Sequence, residues 1–135
     1  MTIDDFWVKP KKTEFMPINV LDAQADYLKK NSKGKLGAQT VKTYPNSDDV
    51  VRVSFFIIAT EFRGYSYRLL WFDQTLDIFP FKVNAFSNPT QDFGIVHNME
   101  EFIETIKKVL GDERTATILG NLLTMGNAVE VDNED

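Results

Sequence analysis

Apolar residues recur at helical spacing early in the chain, and this pattern predicts a first helix over residues 17–33. Pro17 suits the first helical turn, because its missing N–H would have no partner there. Gly34 is a suitable stop. The predicted apolar stripe contains Val20, Leu21, Gln24, Tyr27 and Leu28.

The same spacing near the end of the chain predicts two further helices. Asn98 and the glutamates that follow Met99 resemble a capping box, so the second helix should begin there and end at Gly111. Asp112 should cap the third helix, which ends at Gly126.

Between these helices, four runs rich in β-branched and aromatic residues predict strands. They cover residues 36–44, 50–62, 65–72 and 76–83, with a loop over 84–97 that has room for a short strand at 94–96. Pro80 cannot donate to a ladder, so the fourth strand should lie at an edge or carry a bulge. Short turns make the strands an antiparallel meander. The predicted fold class is α+β: an N-terminal helix, a four-stranded antiparallel meander and two C-terminal helices.

A two-residue turn at Arg63-Gly64 would set the register of the two central strands. One face would then carry Phe56, Phe62, Tyr65, Tyr67 and Trp71, and the other Phe55, Ile57, Arg68, Leu70 and Phe72. Both faces are apolar in the middle, so both should be covered. Helices could cover both faces, or they could all lie on one face and leave the other to a second chain.

The first of these two sets is the predicted interface: Phe56, Phe62, Tyr65, Tyr67 and Trp71. Tyr and Trp are favoured at the energetic centres of protein interfaces. The alternative interpretation is an ordinary core beneath a helix.

Composition bounds the domain and its partners. Hydrophobic residues make up 43% of the chain, which is enough for a core. The net charge is −5, but four carboxylates in residues 127–135 account for most of it, and without them it is −1. We therefore predict a single α+β domain over 1–126 with an extended arm at 1–16, an acidic disordered tail at 127–135, and no nucleic-acid partner.

The residues suited to catalysis or metal binding are few. The chain has no cysteine and one histidine, His97, so thiolate sites and histidine-rich metal sites are excluded. Glu61 and Asp77 are carboxylates on predicted strands, but nothing in the sequence brings them together. We predict no enzyme activity, no cofactor and no metal site. The N-terminus lacks a signal-peptide pattern and no apolar run could span a bilayer, so the expected location is the cytoplasm, away from membranes.

Arg68 is the one candidate for anion binding. In the predicted register it lies among apolar side chains, where a guanidinium needs a carboxylate or phosphate partner. An arginine that extends to solvent, or pairs with Asp77, is the alternative.

Three segments resemble small bacterial proteins of unknown function. They are the run Pro17-Ile18-Asn19-Val20-Leu21-Asp22-Ala23-Gln24-Ala25, the strand Tyr65-Ser66-Tyr67-Arg68-Leu69, and Ile78-Phe79-Pro80. The resemblance spans residues 17–125 and implies bacterial origin and a domain of this size. It implies no activity, ligand or catalytic residue.

The sequence therefore favours a non-enzymatic protein-interaction module of the bacterial cytoplasm, similar in role to immunity proteins or chaperones. Its partner would be another protein or a second copy in a homodimer. The alternative is a small-molecule or anion-binding domain that uses Arg68 and a cleft beside the sheet.

Overall fold

The computed structural model describes residues 1–13, 15–45 and 49–127. Within them it contains three helices and a five-stranded antiparallel sheet. The elements are α1 (Pro17–Asn31), β1 (Leu36–Thr43), β2 (Val51–Ala59), β3 (Tyr65–Gln74), β4 (Phe81–Ala85), β5 (Gln91–Val96), α2 (Met99–Leu110) and α3 (Glu113–Asn127). The α+β class and the antiparallel meander are confirmed. Nearly all of the predicted acidic tail lies outside the described residues.

The prediction of four strands is wrong, because the structure has a fifth, β5. The strands are ordered β1-β2-β3-β4-β5, so each pairs with its neighbours in sequence. β5 is longer than the suggested strand at 94–96, and its hydrophobic pattern is weak because only Val96 is buried. Pairing with β4, through partners such as Phe81 and Val96, makes it a strand.

The fourth strand begins later than predicted. Residues 76–80 form a turn in which the N–H of Ile78 donates to the carbonyl of Thr75. Pro80 therefore precedes β4, and β4 lies between two other strands. The predicted edge position was wrong, whereas the alternative, a bulged strand, agrees with the register shift between Lys82 and Asn84 in the β4–β5 ladder. Pro80 itself stands outside that ladder.

All three helices pack on the same face of the sheet. Gln24 and Leu28 of α1, Leu110 of α2, and Thr115 and Leu119 of α3 surround one cavity. Its floor is formed by Phe55, Ile57 and Leu69 from β2 and β3, each at most 2% exposed. Of the two arrangements left open by the sequence, the structure adopts the one with every described helix on a single side.

The hairpin between β2 and β3 has a different register from the one predicted. Arg63 and Gly64 do form a turn with positive φ angles of 52° and 69°. The first residue pair of the hairpin, however, is Ala59 with Tyr65. A two-residue turn would have paired Tyr65 with Phe62, three residues later in the chain. Thr60 leaves the β2–β3 ladder, because its hydroxyl donates to the carbonyls of Gly34 and Lys35 beside β1.

A β-bulge in β3 further changes which side chains lie on the same face of the sheet. Phe55 pairs with Leu70, but the next residue of β2, Phe56, pairs with Arg68, which leaves Leu69 as an extra residue. An extra residue shifts the alternation of side chains beyond it. Arg68 and Trp71 are three residues apart and would lie on opposite faces of a regular strand, but the bulge places them on the same face.

Candidate protein-interaction face

The face of the sheet turned away from the helices carries a strip of apolar side chains. The apolar members are Val41 of β1, Phe56 and Ile58 of β2, and Trp71 of β3. Arg68 of β3 lies among them, and all five residues are half-buried. We call these five residues the open face. No described helix packs against it, and its side chains shield one another only in part.

Arg68 and Trp71 form the centre of the open face. The guanidinium carbon of Arg68 lies 3.8 Å from the centroid of the Trp71 ring, within cation–π distance. Burial lowers the pKa of the Arg68 guanidinium, and the positive charge of Arg52 lowers it further, while Asp73 acts in the opposite direction. Arg68 nevertheless stays charged, because an arginine pKa is so high.

The neighbouring charges on this side of the sheet are already paired. Arg52 donates two hydrogen bonds to Asp73, of 2.8 and 3.0 Å, and this hydrogen bonding to the carboxylate raises the pKa of Arg52. Lys82 lies 3.8 Å from Asp92. Among the described residues, Arg68 has no carboxylate within ion-pair distance. The open face therefore combines apolar area with a positive charge that has no ion-pair partner in the described part of the chain.

The structure divides the predicted interface residues into two groups. Phe56 and Trp71 lie on the open face, opposite Arg68 and Ser54 respectively. Tyr65 and Tyr67 lie instead on the side of the sheet that faces the helices, and Phe62 lies in the loop between β2 and β3.

Tyr65 and Tyr67 pair with Ala59 and Ile57, whose side chains point toward the helices. The Tyr67 hydroxyl accepts a hydrogen bond of 3.0 Å from the N–H of Ser87. Phe62 lies in the hairpin loop, with its ring centroid 5.4 Å from that of Tyr65. The predicted single aromatic platform therefore does not exist as one surface.

The predicted register of Arg68 was wrong as well. It set Arg68 on the same face as Phe55, Ile57 and Phe72, with Asp77 as an alternative partner. Its cross-strand neighbour is Phe56. No signal within the single strand could have revealed the stacking on Trp71, because that contact depends on the bulge at Leu69.

The two candidate carboxylates are far apart. Glu61 lies in the loop that joins β2 to β3, whereas Asp77 follows the opposite end of β3. A ten-residue strand such as β3 is about 33 Å long, so these groups cannot act on one bond. Among the described residues, no three His, Cys, Asp or Glu side chains form a group that could hold a metal ion.

His97 is exposed and belongs to the start of α2. The side chain of Asn98 caps the helix by accepting from the N–H of Glu101 at 2.8 Å. The carboxylate of Glu101 accepts from the N–H of His97 at 3.0 Å and lies 2.9 Å from its Nδ1. The capping arrangement predicted at Asn98 is confirmed, with the glutamate reaching the residue before the cap.

This capping contact makes stability depend on pH. Hydrogen bonds from the side chain and then the backbone of His97 lower the pKa of Glu101. A lowered folded-state pKa stabilises the protein above the ordinary glutamate range, and the contribution is lost as the pH falls through the folded value.

We expect Glu101→Gln to lower the urea midpoint at pH 7 and to have little effect near pH 3. Glu100→Gln is the matched control, since Glu100 lies in the same helical turn without the contact to His97. Equal effects of the two substitutions at every pH would contradict this explanation.

The arm before α1 carries a second set of exposed apolar residues. Phe6 and Trp7 are 85% and 89% exposed, and Ile3 and Val8 are exposed as well. Asp4 and Asp5 precede the two aromatic residues. Two carboxylates and two aromatic rings therefore stand together at positions 4–7, ahead of lysines at positions 9, 11 and 12.

Comparison of the chain with protein-family models, with curated proteins and with solved structures gave no match. Within the described residues, no helix is long and apolar enough to cross a membrane.

Proposed function

We propose that the protein is a non-enzymatic interaction module that binds another protein through the open face. The observation that carries this proposal is the placement of all described helices on one side of a sheet that is apolar on both sides. Exposed apolar area that is contiguous and rimmed by polar residues is typical of protein-binding surfaces. The charge pairs Arg52–Asp73 and Lys82–Asp92 provide such a rim.

The partner that suits this face is a protein segment with apolar side chains and at least one carboxylate. Apolar side chains would bury the remaining exposed area of Phe56, Ile58 and Trp71, at about 25 cal/mol per Å². A carboxylate opposite Arg68 would supply the missing counter-charge. Because the guanidinium already lies over the Trp71 ring, less side-chain entropy remains to be lost when a carboxylate binds.

The wider role that we propose is that of an immunity-type or chaperone-like protein in the bacterial cytoplasm. Such proteins act by covering a surface of a partner rather than by changing a bond. A free small anion bound at Arg68 is the alternative. It is less favoured because Arg68 projects from the open face, on the opposite side of the sheet from the cavity that the helices enclose.

A synthetic peptide with the sequence of residues 2–8 is a suitable probe, since it contains two carboxylates, two aromatic rings and no lysine. We expect the fluorescently labelled peptide to bind the full chain, as measured by anisotropy. Arg68→Met should weaken binding about tenfold, since a hydrogen bond to a charged group is worth roughly 1.5–3 kcal/mol. Trp71→Ala should weaken it at least as much.

Two controls accompany this experiment. Lys108→Met removes an exposed positive charge from α2, on the other side of the sheet, and should leave the affinity unchanged. A peptide with Asn in place of Asp4 and Asp5 should bind the wild type weakly and should not distinguish it from Arg68→Met. Equal affinity of Arg68→Met and wild type for the acidic peptide would refute the assignment of the open face.

The same experiment identifies two other occupants. If the full chain dimerises with rising concentration and Trp7→Ala abolishes the dimer, the arm of a second copy is the occupant. If millimolar acetate displaces the peptide from the wild type but not from Arg68→Met, free anions compete at the same position and the alternative function gains support.

A further inference from the structure

We infer that the cavity between the helices and the sheet is a binding site for a small, uncharged molecule with an apolar body and one hydrogen-bonding group. This site lies on the opposite side of the sheet from the open face and is independent of the function proposed for that face. Three features of the cavity support this site: its volume, its apolar walls, and the polar side chains where it opens to solvent.

The cavity has a volume of about 180 Å³. An apolar cavity of about 150 Å³ is large enough to hold benzene, so this one has room for a six-membered ring with a short substituent. Protein interiors are close-packed, and gaps of this size are few. The packing of three helices around Phe55, Ile57 and Leu69 leaves the space unfilled.

The floor and walls of the cavity are apolar. Phe55, Ile57 and Leu69 form the floor, and Leu110 and Leu119 form part of the walls. Among the residues that the structure describes, no charged side chain lines the cavity. A charged ligand would lose its hydration without gaining a counter-charge, which is strongly unfavourable. The ligand should therefore be neutral.

The polar groups lie along α1, where the cavity meets solvent. Gln24 is half-buried, and Tyr27 and Asn31 are exposed. The side-chain amides of Gln24 and Asn31 have no hydrogen-bond partner among the described residues, whereas the Thr115 hydroxyl donates to the carbonyl of Val109 at 2.6 Å. Two amides that are free to donate or accept at the edge of an apolar cavity are suited to a hydroxyl or amide group of a ligand.

Gln24 also explains a feature of the sequence. It stands in the apolar stripe of α1, where an apolar residue of similar size would be expected. An amide at this position makes one end of the cavity polar. The sequence thus contains a signal for the site, although the stripe alone could not show that α3 and the sheet would leave room beside it.

The test uses three probes that share one ring: benzyl alcohol, toluene and sodium benzoate. Binding to the full chain is followed by the methyl NMR signals of Ile57, Leu119 and Leu28, which line the cavity. We expect all three signals to shift with benzyl alcohol, which should bind at least tenfold more tightly than benzoate. Gln24→Leu should weaken the binding of benzyl alcohol more than that of toluene.

Leu119→Phe should fill the cavity and reduce the affinity for benzyl alcohol at least tenfold without lowering the melting temperature. Leu123→Phe is the matched control, because Leu123 lies one turn further along α3 and does not line the cavity. Arg68→Met should leave the affinity unchanged, which separates this site from the open face. The inference is overturned if the cavity methyl signals do not move, if benzoate binds as well as benzyl alcohol, or if both α3 variants weaken binding equally.

Discussion

Phe72→Ala should lower the free energy of unfolding by about 4 kcal/mol, because large-to-small changes of a buried phenylalanine cost about 3–5 kcal/mol. Phe72 is fully buried and joins three elements. Its ring stacks on Phe81 of β4, with centroids 4.3 Å apart, and meets Phe102 of α2 edge-on at 5.4 Å. Truncation would remove both ring contacts and leave a cavity that the rigid sheet cannot close.

Urea denaturation followed by circular dichroism measures this loss. The total stability of a domain of this size is about 5–15 kcal/mol, so the variant should be marginal. Phe72→Leu serves as a milder change, with an expected loss of about 1–2 kcal/mol, in case the alanine variant does not fold.

Phe79→Ala is the matched control for this prediction. Phe79 is half-buried and stacks only at the edge of the same cluster, with its centroid 5.3 Å from that of Phe81. Its loss should be roughly 1–2 kcal/mol, since less apolar area leaves water. If Phe79→Ala lowered the free energy of unfolding as much as Phe72→Ala, Phe72 would not be the centre of this aromatic cluster, contrary to the structure.

Arg114→Met should lower the free energy of unfolding by about 2 kcal/mol. The guanidinium donates to the carbonyls of Ser87 and Pro89, both at 2.7 Å, and its carbon lies 4.6 Å from the centroid of the Phe86 ring. Hydrogen bonds to charged groups are worth roughly 1.5–3 kcal/mol, and the partial exposure of Arg114 reduces the sum. Methionine keeps most of the apolar stem of the side chain but cannot donate.

Arg52→Met provides the comparison, measured by the same urea denaturation. Arg52 pairs with Asp73 across two strands near the surface, and such pairs contribute roughly 0–1 kcal/mol. The two substitutions therefore test whether an arginine that donates to loop carbonyls contributes more to the free energy of unfolding than an arginine in a surface ion pair. A loss at Arg114 no greater than that at Arg52 would mean that the loop over residues 86–90 does not need this anchor.

The sequence does not identify Arg114 as the residue that anchors the loop over residues 86–90. In sequence it reads as a polar residue in the first turn of a helix. Its partners lie more than twenty residues earlier, in a loop with no regular pattern. A contact of this kind depends on where α3 is placed against the sheet, and helical periodicity does not specify that placement.

The sequence by itself determined the number and position of the helices, the antiparallel meander and the apolar character of both sheet faces. These features follow from local patterns: the spacing of apolar residues, the proline at position 17, the cap at Asn98 and the turn at Arg63-Gly64. Each depends on neighbours within a few positions, which is the range over which periodicity and capping act.

Only the tertiary structure decided which aromatic side chains share a surface. Thr60 leaves the hairpin to bond with residues before β1, and the extra residue Leu69 then brings Arg68 onto Trp71. Strand register depends on hydrogen bonds between distant segments, and a shift of one residue exchanges the two faces. The open face and the cavity behind it therefore arise from pairing and helix placement, which no single segment of the chain encodes.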